Sequence, residues 1–218
     1  MLAWGKPAYN LYLIDWKIMH IAILTFDGYN ELDSLIALGI LNRVKRPDWR
    51  VSIASPSATV TSMNGVVIHA SATLAEACTA DAVIVGSGIK TLEVTQNEAI
   101  MAQLKLDPTR QLIAAQCSGA LILAKMNLLH HIPACTDLTS KPWVQAAGVE
   151  VLNQPFFAKG NIATAGGCLA SQYIAMWLLA RLEGIDVAAD AMHYVAPVGE
   201  KEDYVERGLR NITPYLKD

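Results

Sequence analysis

The chain has few charges for its length. Only 17% of its 218 residues are Asp, Glu, Lys or Arg, 53% are hydrophobic, and the formal net charge is -3. That balance excludes a disordered chain and favours a large buried sheet. Without a positive excess there is no electrostatic footprint for nucleic acid or an anionic membrane, so neither is an expected partner. Cys-x-x-Cys pairs are absent, and the cysteines at 78, 117, 135 and 168 form no closely spaced cluster with histidine of the kind that builds zinc sites. No metal is expected on that ground. Gly86-Ser87-Gly88 is neither a Walker loop nor a dinucleotide fingerprint, so no cofactor is expected. The first eighteen residues, MLAWGKPAYNLYLIDWKI, lack a continuous apolar run and a small-residue cleavage site. They are read as neither signal peptide nor membrane span, which places the thiols in a reducing, cytoplasmic setting.

What is present begins near Met19. Residues 1–18 read as an N-terminal extension or surface arm, and residues 19–218 as one α/β domain. Strand-like and helix-like segments alternate, the pattern of a parallel sheet covered on both faces. His20–Phe26, Trp49–Ala54, Ala82–Val85 and Gln111–Gln116 read as strands, and a helix begins near Glu31. Ser62–Ala70 reads as a hairpin turning at Asn64-Gly65. Ile132–Thr136, Val149–Leu152 and Asn161–Ala165 read as further strands, Asn97–Leu104 as a polar helix and Gly166–Leu182 as an apolar one. One more helix is expected in the tail.

Gln111 to Met126, QLIAAQCSGALILAKM, is the most informative stretch. A buried strand ends on Cys117, and a small Ser118-Gly119-Ala120 turn opens a helix. Cysteine at such a junction sits on a sharp elbow, with the first-turn amides of the helix nearby to favour a thiolate, the reactive form. A buried cysteine packing as a small hydrophobe is the other reading of the same pattern.

Ligands of open parallel sheets gather at the carboxyl ends of the strands. The loops that qualify are Phe26–Asp33, Gly86–Gly88 and Cys117–Gly119. Asp33 and Glu31 lie in a first helical turn, where carboxylates often cap. Apolar residues at 32, 35 and 36 flank Asp33 on the buried side, so a carboxyl there suits a general base or a hydrogen-bond partner of sulfur. The N–H groups of Gly88 and Ser118 are candidate donors to developing negative charge, with Gly119 beside them. None of the five histidines is next to Cys117 in sequence.

Taken together, HIAILTFDGYNELD, AVIVGSG, LIAAQCSGALILAKMNLL, ACTD and NIATAGGCLASQYIAMWLLARLEG resemble the ThiJ/PfpI superfamily, also called the parkinsonism-associated deglycase superfamily, from His20 to about Gly184. The resemblance implies the class I glutamine amidotransferase-like fold: a flavodoxin-like three-layer α/β sandwich with a mostly parallel central sheet and a nucleophile-elbow cysteine. A homodimer is usual. Cys117 matches the elbow cysteine, Asp33 the acidic residue at its sulfur, and Gly88 and Ser118 the oxyanion amides. Aspartate at 33, where many members have glutamate, resembles the isocyanide hydratase branch. Ser118 in place of a histidine disfavours a peptidase, and no His-x-Glu pair of a true amidotransferase accompanies Gly166-Gly167-Cys168. Asp137 stands where numerous relatives have histidine, which disfavours a histidine-dependent glyoxalase; with Glu31 it is a candidate pocket residue.

The leading expectation is therefore an enzyme acting on a small electrophilic molecule, most like an isocyanide hydratase, with a covalent thioimidate at Cys117 and Asp33 as acid and base. The alternatives are a redox-responsive protein with an oxidisable Cys117 and a non-catalytic ligand-binding member.

Overall fold

The structure, a computed structural model, describes residues 18–217, so the expected N-terminal extension lies, apart from Ile18, outside the described residues. Strand β1 (Met19–Leu24) runs into helix α1 (Glu31–Leu41) and then β2 (Trp49–Ser55). A hairpin of β3 (Thr59–Thr61) and β4 (Val67–His69) follows, then β5 (Ala72–Thr73) and α2 (Leu74–Thr79). Next come β6 (Ala82–Val85), α3 (Thr91–Gln96), α4 (Glu98–Met101), β7 (Leu112–Gln116), α5 (Gly119–Lys125) and α6 (Lys141–Ala146). Strands β8 (Phe156–Lys159) and β9 (Ile162–Ala165) precede α7 (Ser171–Leu182), α8 (Ile185–Val195) and α9 (Lys201–Ile212).

Seven of these strands form one sheet in the order β5-β2-β1-β6-β7-β9-β8, parallel except where β8 runs against β9. This is the flavodoxin-like α/β sandwich. Alternate residues of each strand point to opposite faces. In β1, Ile21 and Ile23 join the core under α1, α7 and α8, while Ala22 and Leu24 join the core under α2 and α5. Both faces being covered is why these strands read as near-continuous apolar runs.

Strand order reverses between β1 and β6. The loops after β1, β6, β7 and β9 therefore meet at one end of the sheet, where such folds bind ligands. Glycine makes this convergence tight. A Cβ on Gly119 would lie 2.4 Å from the Val85 carbonyl oxygen, so only glycine lets the start of α5 pack against the end of β6.

Several expected elements differ. Residues 132–136 and 149–152 are not sheet strands; they meet in a single bridge, Ala134 with Val151. Phe156–Lys159, absent from the strands read in the sequence, is the edge strand β8. The polar helix expected over 97–104 is only the short α4, which Asn97, outside the helical region, caps through its side chain; the preceding α3 ends at Gln96. The helix expected from Gly166 starts at Ser171, after a 3-10 turn at Cys168–Ala170, and the tail holds two helices rather than one.

Candidate active site

The elbow at Cys117 is built by the sequence around it. Backbone φ at Cys117 is 47°, a left-handed conformation that a residue with a Cβ adopts at a cost of about 1–3 kcal/mol. The turn is held from both sides: the Cys117 N–H donates to the Ala165 carbonyl (2.8 Å), and the Thr136 hydroxyl donates to the Cys117 carbonyl (2.8 Å). Its side chain is 3% exposed.

Asp33, in the first turn of α1, is fully buried. One carboxylate oxygen, Oδ2, accepts from the Ser87 hydroxyl, whereas Oδ1 is buried without a hydrogen-bond partner. Beside this carboxylate lie two sulfurs. One oxygen of Asp33 and the Sγ atoms of Cys117 and Cys168 are all within 4.8 Å of one another. Cys168, just after β9, also accepts from Asn30 Nδ2 at 3.2 Å. Gln116 Nε2 approaches Cys117 Sγ at 3.5 Å and is anchored on the Gly167 carbonyl at 2.9 Å. Among the described residues this trio is also the group whose spacing suits a metal ion, a set of two sulfurs and one oxygen that fits a zinc-like ion. Positions 33, 117 and 168 are too far apart in the chain for spacing rules to reveal it.

The electrostatics differ from the expectation of a low-pKa thiol. Burial pushes the Cys117 thiol up, and the negative charge of Asp33 beside it pushes it further. Burial also raises the Asp33 carboxyl, against the downward pull of its hydrogen bonds. A second negative charge in this closed site is resisted, which disfavours ionising both groups at once. The thiol form of Cys117 is favoured, and the unpartnered carboxylate oxygen lies in the same buried pocket.

A family model described as the DJ-1/PfpI family matches residues 19–181. The chain belongs to the DJ-1/PfpI family. Among solved structures it is similar to a cysteine-to-alanine variant of a DJ-1 superfamily protein from Salmonella typhimurium, at 26% identity and TM-score 0.69, covering 82% of this chain and 99% of that one. It is also similar to DJ-1 from Schizosaccharomyces pombe (16% identity, TM-score 0.71, 82% and 99% covered) and to a ThiJ/PfpI family protein from Pseudomonas syringae (17% identity, TM-score 0.71, 97% and 95% covered). No match among curated proteins was found. Among the described residues no helix is long and apolar enough to cross a membrane.

The other candidate residues of this DJ-1/PfpI chain fall into place around the pair. The Gly88 N–H donates to Ser118 Oγ (3.1 Å), and that hydroxyl also bonds Thr91 Oγ1 (2.7 Å), so the Gly88 amide is engaged by the Ser118 side chain. Ser118 N–H has no acceptor among the described residues. Gly119 serves packing, as described above. Glu31 turns away from sulfur: it accepts from the Ser62 hydroxyl and Asn64 Nδ2, which holds its carboxyl below the usual range and ties α1 to the β3–β4 hairpin. Asp137 accepts from the N–H groups of Thr139 and Ser140 (2.9 Å each), and its charge adds to the upward push on Asp33 and Cys117. The histidines stay outside: His20 bonds Ser52, His130 and His131 line a surface cavity with Glu150, and His193 pairs with Glu202.

Sequence reasoning missed Gln116, Asn30, Ser87 and Cys168. Gln116 carried a signal: a polar side chain inside an otherwise apolar buried strand needs a partner, and here one end of it serves the sulfur. Cys168 carried none beyond its glycine-rich approach.

The raised Asp33 carboxyl has a consequence for stability. With its folded pKa above the unfolded one, Asp33 favours folding while protonated, and that contribution is lost as pH rises through the folded value. Asp33→Asn is therefore expected to raise the melting temperature at pH 7, with the gain shrinking as pH falls toward about 4, the ordinary aspartate range. Thermal melts at the two pH values check this. A variant equally or less stable at pH 7 would mean the carboxylate is better solvated than its burial indicates.

Proposed function

We propose that this protein is a cysteine-dependent enzyme that hydrates an isocyanide to the N-substituted formamide. The observation that carries the reading is the closed thiol–carboxylate pair: Cys117 and Asp33 share one environment, no histidine is bonded to either among the described residues, and Cys117 is 3% exposed. A thiol this enclosed reacts with a terminal, unhindered atom, and the isocyanide carbon is one.

The proton count also fits. Sulfur bonds to the isocyanide carbon while the thiol proton passes by way of Asp33 to that same carbon, giving a thioimidate. Water then adds to the thioimidate carbon, losing one proton to Asp33, which passes that proton on to the nitrogen. Breaking the C–S bond releases the formamide, and the hydroxyl proton of the adduct passes by way of Asp33 to sulfur. The pair begins and ends with one proton. Forming the thioimidate places no negative charge on oxygen, so the first step does not call on the engaged Gly88 amide.

The surroundings suit a neutral, apolar substrate. Leu32 (49% exposed), Ile89 (63%), Leu138 (86%) and Leu169 (66%) are each next in the chain to Asp33, Gly88, Asp137 and Cys168 respectively. Apolar surface exposed beside a site marks where a hydrocarbon group is held. The test is formamide production from a small alkyl or aryl isocyanide, with Cys117→Ala as control. Turnover well above the control is expected; equal rates would remove the isocyanide assignment.

A further inference from the structure

Cys168 has no part in the hydration just described, yet it is built into the site. Strands β7 and β9 are adjacent and parallel, with Gln116 opposite Ala165 as the last pair, so Cys117 and Cys168 both lie just past the ends of neighbouring strands. The two Sγ atoms already lie within 4.8 Å of each other, with the Asp33 carboxylate beside both. Cys168 is the more open of the two, half-buried where Cys117 is buried. Its sulfur is oriented by Asn30 Nδ2, and its approach passes Gly167 at φ 89°, a joint free of side-chain bulk. The remaining cysteines are elsewhere: Cys78 bonds the backbone at Gln103 and Lys105, and the Cys135 N–H is tied to Thr164.

We infer that Cys168 is a resolving thiol, which captures Cys117 after oxidation by a peroxide and closes a reversible Cys117–Cys168 disulfide. In the first step the Cys117 sulfur attacks one peroxide oxygen and the O–O bond breaks. The thiol proton passes by way of Asp33 to the departing oxygen, which leaves as water or an alcohol, and Cys117 becomes a sulfenic acid. In the second step the Cys168 sulfur attacks the Cys117 sulfur. The S–O bond breaks, the Cys168 proton goes to the leaving hydroxide by way of Asp33, and water departs. Two thiols are oxidised, one peroxide is reduced, and no other reactant is needed. The product blocks the nucleophile in a form that thiols reverse, where an unresolved sulfenic acid would advance to the sulfinic acid, which they do not. The disulfide stands on the placement of the two sulfurs and does not require that the substrate be an isocyanide.

The experiment is peroxide treatment of the whole chain, one equivalent at a time, followed by non-reducing peptide mapping and then dithiothreitol. The wild type is expected to yield a Cys117–Cys168 cross-linked peptide and to recover both free thiols on reduction. Cys168→Ser is expected to yield Cys117 sulfenic acid that dimedone traps, advancing to a sulfinic acid that dithiothreitol leaves in place. Because the wild-type map is read independently, misfolding of the variant does not shield the inference. Cys117 sulfinic acid without the cross-link in wild type, a cross-link to Cys78 or Cys135 instead, or no oxidation of Cys117 would each overturn it.

Discussion

Cys117→Ala is expected to lower isocyanide turnover at least about a thousandfold, and Asp33→Asn by about 10²–10⁴-fold. The first loss follows because the covalent bond to substrate has no other sulfur placed to make it in the same geometry. The second follows because the amide that Asp33→Asn introduces can still accept from Ser87 but cannot carry a proton. The two residues act as one unit, so the double variant is expected to be no slower than Cys117→Ala alone. The pH profile separates a proton carrier from a structural role. Since burial raises the Asp33 carboxyl, activity is expected to fall on the acid side at a pH above the ordinary aspartate value of about 3.9, as the base becomes protonated. Asp33→Asn should lose that acid limb. Full activity in Asp33→Asn, or losses that multiply in the double variant, would show that the carboxylate is not in the reaction.

Trp177→Ala is expected to cost about 3–5 kcal/mol of stability. The indole is fully buried on α7, against the sheet face that carries Phe156, with ring centroids 6.3 Å apart. Its Nε1 reaches toward the Tyr215 carbonyl at 3.5 Å, tying the last turn of the chain to the core. Truncation removes the largest wholly enclosed side chain of that layer and leaves a void that neighbouring strands are too tightly paired to close. For a chain of this size the melting temperature should drop by roughly 6–20 °C. Denaturant unfolding measures it directly, and a loss under about 1 kcal/mol would mean the layer collapses around the gap.

Much of the fold is legible in the sequence because burial on both faces leaves an unmistakable trace. MHIAIL, AVIV and LIAAQ are predominantly apolar runs, and each is a strand of the central sheet. The elbow is legible because a strand ending on Cys117 and a helix starting on Gly119 leave the cysteine one conformation. Asp33 is buried as expected, but its apolar neighbours do not mark the buried side: Leu32 is exposed and Leu35 and Ile36 are only partly buried. The edges are not legible. β8 joins the sheet antiparallel through pairing with β9, which no local pattern records, and residues 132–136 look like a strand but find only one bridging partner. In α9 the apolar side presented by Tyr204, Val205, Leu209 and Ile212 lies among polar residues in the tail, where the sequence reading expects only one further helix. Cys168 is invisible for a different reason: what brings it to Cys117 is the adjacency of β7 and β9, a property of sheet order rather than of spacing.

That Cys117 and Asp33 form a one-proton pair is tested most directly by the pH dependence of Cys117 alkylation, read at that site by mass spectrometry in wild type and in Asp33→Asn. The expected midpoint for wild type lies above the roughly 8.5 of a free thiol, and removing the neighbouring charge should bring it down. A wild-type midpoint well below that value, or one that Asp33→Asn leaves unmoved, would contradict the pairing.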